Sequence, residues 1–366
     1  MIFIMIRLFI MLALALSGAI SAEPTPVTSD GFAIPQPHRA FVFPRDHGSH
    51  PEFRTEWWYV TGHLDASNGR RFGFQATFFR QSSPNNRQLF LAHSALLDSS
   101  TGRFLSEERL NREGWDAGAS TTTLDVHNGN WSVRLDDSVK LAATVHADAQ
   151  ITLSLTPAKP LVEFGKDGVS RKGTAPSAAS HYLTFPRLKC QGTVKLDDHE
   201  VPVTGHAWMD HEFSSGQLDE GQVGWDWAGL QLDDGREIMV YRMRRRDGSI
   251  DPAGTTLTWV HADGKTEQEG AGQFSWQPTR TWTSPQTKAT YPIGARISTQ
   301  GQVFELKPVK AAQELDGTIS GLPYWEGACD VLDGRGKVIG RAFLELTGYA
   351  GDLARHLREP GKKAGG

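Results

Sequence analysis

Apolar and polar residues alternate in short runs along most of the chain, and helical periodicity is nearly absent. Tight Asx-Gly turns separate the runs, at Asn68-Gly69, Asn128-Gly129, Asp167-Gly168, Asp234-Gly235, Asp247-Gly248, Asp263-Gly264 and Asp333-Gly334. A period of two residues with such turns predicts short antiparallel strands joined by hairpins. We therefore expect an all-β protein, built as a sandwich or barrel.

The first 22 residues depart from this alternation. Residues 2–16 form an apolar run interrupted by Arg7, and small residues follow as far as Ala22. A basic start, a short apolar stretch and a small-residue exit predict a signal peptide, cleaved near Ala19 or Ala22. An uncleaved anchor helix is the alternative. The prediction implies a periplasmic or secreted protein, and association with an envelope membrane stays open.

Two internal repeats divide the rest of the chain into halves. The first repeat, a tryptophan-bearing strand, a glycine turn and an apolar return strand, occupies residues 56–80 and 225–245. The second, a hairpin with two glycines that ends in an acid, occupies residues 192–210 and 327–345. It aligns Asp210 with Glu345. A duplicated barrel explains both repeats, with a boundary near residue 218.

Composition excludes several classes of function. The 38 basic and 42 acidic residues are scattered, so no nucleic-acid partner is expected, and the one basic cluster, 242–246, is expected to form a solvated turn. No glycine-rich phosphate loop occurs, and we expect no cofactor. Cys190 and Cys329 could form one disulfide between the halves, or both could be buried strand residues.

Aromatic residues point to a ligand. The chain has 11 Trp and 18 Phe residues, and tryptophan is costly to bury unless it fills space or lines a cavity. We therefore expect the tryptophan-rich hairpins of the two halves to enclose a dry space for an apolar small molecule. Whether that space lies within one barrel or between two is not determined by the sequence, nor is the oligomeric state.

Several motifs resemble those of the AttH/carotenoid 1,2-hydratase family, over roughly residues 44–351. They are HPEFRTEWWYVTGHL, FGFQATFFR, AHSALLD, HYLTFPRL, GHAWMDHEFSS, GWDWAGLQLDDGREIMVYRMR, YWEGACDV and RAFLELTGY. The resemblance implies a tandem pair of lipocalin-like antiparallel β-barrels. It also implies activity on apolar polyenes, since characterised branches include bacterial hydratases of acyclic carotenoid ends and distant fungal enzymes of polyene cyclisation.

The predicted divisions follow from the repeats and the resemblance. They are a signal peptide (1–22), an extended N-terminal arm (23–44), a first lipocalin-like barrel (45–218), a second (219–351) and a tail (352–366) with a short helix at 352–358. Residues 166–180 are expected to form a long surface loop, because they are rich in Gly, Ser, Lys and Ala without periodicity.

The candidate catalytic residues are Asp210, Glu212 and Asp226. On a strand, Asp210 and Glu212 face one side and His211 the other. Two neighbouring carboxyls in an apolar setting could share a proton, which raises the pKa of one of them. A carboxylic acid that is still protonated near neutral pH is what hydration of an unactivated alkene requires.

A structural reading of these acids stays open beside the catalytic one. Arg80 and Arg242 lie on the return strands and could form structural ion pairs with buried acids, which would lower the pKa instead. The histidines show no metal-ligand spacing, and we expect no metal site. Eight residues are the candidate ligand-binding set: Trp57, Trp58, Tyr59, His93, His181, Trp208, Trp225 and Trp227.

Two function hypotheses remain, and a third is weaker. The first is an exported protein that binds an apolar lipid, isoprenoid or polyene in the cell envelope, with its chemistry undetermined. The alternative is a carotenoid 1,2-hydratase-like hydro-lyase, which the signal peptide disfavours because carotenoid synthesis is normally cytoplasmic or bound to the inner membrane. A secreted hydrolase is the third hypothesis, and no Gly-x-Ser-x-Gly motif supports it.

Overall fold

The computed structural model describes residues 25–351 and 353, apart from residues 84, 86 and 115. The predicted signal peptide and the predicted helix in the tail lie outside the described residues, Leu353 excepted. Within the described part, the chain forms 23 strands and one 3-10 helix, η1 (Arg45–His47). No helix in that part is long and apolar enough to cross a membrane.

The first half is one curled antiparallel sheet. Its strands are β1 (Thr55–Ala66), β2 (Arg71–Ser82), β3 (Gln88–Asp98), β4 (Arg103–Arg112), β5 (Ala117–Ala119), β6 (Asp125–Asn128), β7 (Trp131–Leu135), β8 (Val139–Val145), β9 (Ala149–Pro157), β10 (Val162–Phe164), β11 (Ser170–Arg171), β12 (Ala179–Leu196) and β13 (His199–Gly216). They run in the order β4-β3-β2-β1-β13-β12-β9-β8-β7-β6-β5, with β10 and β11 also paired to β12. The two edges approach each other, where Asn111 Nδ2 donates to Asn128 Oδ1 at 2.7 Å.

The second half repeats this plan with fewer strands. They are β14 (Gln222–Leu232), β15 (Glu237–Arg245), β16 (Ile250–Val260), β17 (Thr266–Gly270), β18 (Ser275–Thr283), β19 (Thr290–Thr299), β20 (Gln302–Pro308), β21 (Glu314–Leu315), β22 (Tyr324–Asp333) and β23 (Val338–Leu346). The order is β17-β16-β15-β14-β23-β22-β20-β19-β18, with β21 beside β22. Thr299 Oγ1 of β19 donates to Glu269 of β17 at 2.7 Å, which ties the curled sheet across its interior.

Both barrels are filled by their own side chains. Trp58, Phe74 and Trp131 lie in the apolar core of the first barrel, and Trp259 and Trp325 lie in that of the second. The alternation of each strand sends every second residue inward and the others outward. The outward residues of β1, β13, β14 and β23 are also buried, because the barrels pack against each other there.

The prediction of an all-β protein with two lipocalin-like barrels in tandem is confirmed. The second sequence repeat corresponds to the hairpins β12–β13 and β22–β23, which hold equivalent positions in the two sheets. At Gly205 a Cβ atom would lie 2.0 Å from the carbonyl oxygen of His63, and at Gly340 it would lie 2.5 Å from that of Gln231. The repeated glycine therefore permits the same close strand approach in both barrels.

The structure differs from the sequence expectations for the two cysteines and for the basic cluster 242–246. Cys190 and Cys329 are free thiols in the cores of separate barrels, so the disulfide alternative is wrong. The basic cluster is not a solvated turn throughout, because Arg242 and Arg244 fold back onto the buried carboxylate of Asp226.

A buried ionic network joins the segment that precedes β1 to strands β1, β2 and β13. Glu56 is fully buried and accepts hydrogen bonds from Arg80 Nε at 2.8 Å and His211 Nε2 at 2.8 Å. His50 bridges Glu56 and Asp46, at 2.9 Å from each. Burial opposes ionisation of Glu56, yet the Arg80 charge and these donors hold its pKa well below the usual value. Arg80 thus forms a structural ion pair, with Glu56 and not with Asp210.

We expect Arg80→Met to lower the free energy of unfolding by about 3–5 kcal/mol, because it leaves Glu56 buried without its cation. Urea denaturation measures the change. The matched control is Arg134→Met, which breaks a half-exposed pair with Asp136 and is expected to cost less than about 1 kcal/mol. Equal effects of the two substitutions would contradict this role of Arg80.

Candidate functional site

A cavity of about 350 Å³ lies between the two barrels, not inside either one. Aromatic and aliphatic side chains from both halves form most of its wall. From the first barrel these include Trp57, Tyr59, Phe79, Leu91 and His93, and from the second Trp225, Trp227, Tyr241, Leu322 and Tyr324. The tryptophan-bearing strands β1 and β14 therefore meet at this cavity, each through its outward face.

The candidate ligand-binding residues divide into two groups. Trp57, Tyr59, His93, Trp225 and Trp227 line the cavity. Trp58, His181 and Trp208 are not part of its lining.

Strand alternation explains this division. Trp58 faces the first barrel's core, where its indole stacks on His211 at 4.9 Å between ring centroids. His181 packs among Phe41, Phe53 and Phe213. Trp58 and His181 therefore have structural roles. Trp208 does not line the cavity, but its indole Nε1 donates a hydrogen bond to Asp210, which does.

Asp210 is a buried carboxyl that faces the cavity without a basic partner. It accepts hydrogen bonds from Thr184 Oγ1 at 2.6 Å, Trp208 Nε1 at 2.7 Å and Tyr182 Oη at 2.8 Å, and it forms no ion pair with the described residues. Burial raises the pKa of Asp210 to about 7, and these donors only partly offset it. The group can therefore give or take a proton near neutral pH.

Glu212 lines the same cavity but has a different partner. Its Oε1 lies 3.0 Å from the Lys172 ammonium, and both side chains are almost fully buried. Lys172 also lies 3.8 Å from the ring centroid of Tyr241, in a cation–π contact. The expectation that residues 166–180 form only a surface loop is thus wrong, because this segment carries Lys172 into the interior to neutralise Glu212.

Asp226 does not belong to the site. Its carboxylate faces the second barrel, where Arg242 Nη1 lies 2.5 Å and Arg244 Nε 2.8 Å away, and Tyr349 donates a further hydrogen bond. It is absent from the cavity lining, because alternation points its neighbours Trp225 and Trp227 there instead. The prediction of Asp226 as a catalytic residue is therefore wrong, and Arg242 forms the structural ion pair expected of it.

Glu345 is a site residue that was not among the sequence candidates. It lines the cavity at the position of β23 that matches Asp210 of β13, since Asp210 pairs with Tyr59 and Glu345 pairs with Trp227 in the equivalent ladders. Trp225 Nε1 donates to it at 2.7 Å. Burial raises the pKa of Glu345 to about 7. The internal repeat already aligned the two acids and could have identified it.

A further buried acid and several tyrosines surround these carboxyls. Glu326 accepts a hydrogen bond from Tyr59 Oη at 2.7 Å, and burial raises its pKa well above the usual value. Tyr182 links the halves, because it donates to Asp210 and accepts from Trp227 Nε1 at 2.9 Å. Burial likewise raises the pKa of Tyr182, so its hydroxyl stays a neutral donor.

One rim of the cavity is a loop of the second barrel, residues 316–323, held by the first barrel. Glu108 of β4 accepts hydrogen bonds from the backbone nitrogens of Ile319 at 2.8 Å and Ser320 at 3.1 Å. His93 Nε2 lies 3.1 Å from the same carboxylate. Burial opposes ionisation of Glu108, but these contacts outweigh it and lower its pKa to about 2.

Three donor atoms that could hold a metal ion come together at His50, Glu56 and His211, all within 4.8 Å of one another. Glu56 is already bound by Arg80, whose positive charge opposes a second cation there. The cluster also lies on the face of β13 opposite Asp210, away from the cavity. Its donor set therefore fits the ionic network described above better than a metal centre.

The serines beside the acidic triplet are engaged in structure. Ser214 Oγ donates to the carbonyl oxygen of Ala179 at 2.8 Å, and Ser215 Oγ donates to that of Ala33 at 2.6 Å. Neither is hydrogen-bonded to a histidine ring in the described part of the chain. Their geometry gives no support to a hydrolytic nucleophile.

Comparisons with known proteins agree with this architecture. A protein-family model described as AttH-like matches residues 34–349. The crystal structure of an AttH protein from Nitrosomonas europaea is 37% identical, with a TM-score of 0.80, and the match covers 87% of this chain and 99% of that one. Kievitone hydratase from Nectria haematococca shares the fold at 16% identity, with a TM-score of 0.66 over 88% of this chain and 98% of that one.

A curated relative matches over a shorter stretch. The ceramide-binding protein svf1 of Schizosaccharomyces pombe is 29% identical over 107 residues. The match spans 28% of this chain and 28% of that protein.

We expect Asp210→Asn to change how stability depends on pH. A carboxyl whose pKa rises from 3.8 to about 7 on folding contributes fully below pH 3.8, and its contribution is lost as pH rises through 7. The unfolding free energy of the variant, relative to that of the unsubstituted protein, should therefore increase between about pH 4 and about pH 8.

Urea denaturation at several pH values measures this difference. Asp198→Asn is the control, because the side chain of Asp198 is 96% exposed, and its difference from the unsubstituted protein should lack this rise. A pH-independent difference for Asp210→Asn would contradict the raised pKa.

Proposed function

The chain belongs to the AttH-like family, and we propose that it binds an apolar small molecule, of the lipid or isoprenoid class, between its two barrels. The observation that carries this proposal is the aromatic and aliphatic wall of the cavity, interrupted by a few polar groups. Apolar walls with a few fixed polar groups are the usual character of small-molecule sites. The volume of about 350 Å³ lies within the range of such sites.

The apolar mouth of the cavity and the match to a lipid-binding relative support the proposal. Leu110 and Ile319 are 49% and 52% exposed and also line the cavity, so its mouth carries aliphatic side chains that suit an apolar ligand. The partial match to a ceramide-binding protein agrees with a lipid ligand. We place this function in the periplasm or outside the cell, because residues 1–22 have the pattern of a cleaved signal peptide.

A second candidate function is acid-catalysed addition of water to a carbon–carbon double bond. It is favoured by the different surroundings of two carboxyls on one strand face, since such a difference separates an acid from a base. Asp210 has a raised pKa and forms no ion pair within the described part of the chain, whereas Glu212 is paired with Lys172.

These surroundings suggest a division of roles. Protonated Asp210 would transfer its proton to the alkene and leave a tertiary carbocation. The faces of Trp57, Trp225 and Trp227 could stabilise the cation by about 0.5–2 kcal/mol each. Glu212 would then take a proton from the water whose oxygen attacks the cation.

We expect Leu91→Trp to weaken binding of a conjugated polyene at least about tenfold, because the larger ring fills the cavity. The measurement is energy transfer from the tryptophans of the cavity wall to the polyene. Val338→Trp is the matched control, since Val338 is 50% exposed and does not line the cavity. Unchanged affinity in Leu91→Trp would place the ligand elsewhere.

For the second candidate, we expect Asp210→Asn to slow hydration about 100-fold or more, because the proton donor is lost. Polyene binding should persist, since the apolar wall is unchanged. The assay supplies an acyclic isoprenoid in ¹⁸O-labelled water and detects the labelled alcohol by mass spectrometry. Asp198→Asn is the control. Hydration at the full rate by Asp210→Asn would remove Asp210 from this role, while binding alone would leave the first function standing.

A further inference from the structure

A second pocket, of about 360 Å³, lies where β1 begins and β13 ends, beside the N-terminal arm. In contrast to the cavity between the barrels, most of its lining residues carry polar side chains. The lining residues are Thr28, Ser29, Asp30, Ile34, Arg54, Thr55, Gln81, Pro176, Ser177, Ser215, Gly216, Gln217 and Leu218. Hydroxyl and amide groups are therefore among the groups that border this pocket.

The polar pocket adjoins the apolar cavity. Thr55 and Gln81 line both, and they are partners in the β1–β2 ladder. Gln217 lines the polar pocket, and its Nε2 lies 3.4 Å from Oε1 of Glu212 in the apolar cavity. A molecule that passes Thr55 and Gln81 would occupy both spaces.

Two lining residues of the polar pocket have buried polar atoms that lack a hydrogen-bond partner among the described residues. They are Oε1 of Gln217 and Nε of Arg54. The Gln217 residue is only 4% exposed. A buried polar atom is normally hydrogen-bonded, so these two lining residues have unused hydrogen-bonding capacity. A ligand that supplies a donor to Gln217 and an acceptor to Arg54 would satisfy both.

The charged side chains of the polar pocket favour a neutral headgroup over an anionic one. The guanidinium of Arg54 is ion-paired with Asp30 of the arm. The lining of the pocket therefore includes one positively and one negatively charged side chain. An anionic headgroup would meet a positive charge that is already neutralised, and it would lie close to Asp30. A neutral headgroup with both hydrogen-bond donors and acceptors has no such disadvantage.

We propose that the two adjoining pockets form one site for an amphiphile, with a neutral amide or hydroxyl headgroup in the polar pocket and an apolar chain between the barrels. This inference rests on the proposed binding function and adds the headgroup to it. The polar pocket then selects among lipids whose chains fit the apolar cavity equally well.

The test compares three fluorescent ligands with the same conjugated polyene chain: the hydrocarbon, the carboxylic acid and its ethanolamide. We expect the ethanolamide to bind about fivefold or more tightly than the other two, since it can make at least one additional hydrogen bond. Energy transfer from the cavity tryptophans reports binding at neutral pH.

Two substitutions test the headgroup contacts. Gln217→Met removes the unpartnered Oε1, and Arg54→Lys removes Nε while keeping a cation for Asp30. Each should reduce the advantage of the ethanolamide and leave the affinity for the hydrocarbon unchanged. The matched control is Gln150→Met, on an exposed part of β9, which should preserve the advantage.

The outcomes separate this inference from the proposed function. If the hydrocarbon binds and the ethanolamide binds no better, or if the carboxylic acid binds best, the headgroup site is refuted and the apolar site stands. A loss of hydrocarbon affinity in Gln217→Met equal to the loss for the ethanolamide would also refute it. If none of the three ligands binds, the proposed function fails and this inference fails with it.

Discussion

The fold depends on strands that are buried on both faces. Four strands, β1, β13, β14 and β23, fill a barrel with one set of side chains and pack against the other barrel with the alternate set. A strand with a single buried face could complete a barrel, but it could not also wall a cavity outside it. Because the barrel interiors are already filled, the cavity lies at the junction, beside the tryptophans of β1 and β14.

The junction also determines the chemistry of the acids. Desolvation is the largest influence on Asp210, Glu345 and Glu326, and it favours their neutral forms. Lys172 supplies a cation to Glu212 in the same region. The result is a set of neighbouring carboxyls with different electrostatic surroundings, which an exposed cleft could not maintain because water would solvate all of them alike.

The alternation of residues and the internal repeats predicted the fold class, the duplication and the shared strand face of Asp210 and Glu212. These follow from local geometry, since every second residue of a strand shares a face. The partners of the acids could not be predicted in this way. Whether Asp226 meets an arginine or a ligand depends on which face of β14 is inside the barrel, and both faces of that strand are apolar in composition.

Lys172 illustrates a second limit of sequence reasoning. It lies in a segment rich in small and polar residues, which is typical of surface loops, and nothing nearby in sequence marks it as buried. Its partner Glu212 lies 40 residues further along the chain. Only the closure of the loop against the second barrel brings the two together, and local periodicity does not encode that long-range contact.

The equivalent positions of Asp210 and Glu345 have an evolutionary consequence. Each barrel contributes one of these two acids and one tryptophan-bearing strand to the shared cavity, so neither half forms the cavity when separated from the other. Selection on the shape of this cavity therefore acts on the fit between the halves. A substitution on one side of this contact is tolerated when the opposite side accommodates it, and residues far apart in the chain are expected to change together among homologues.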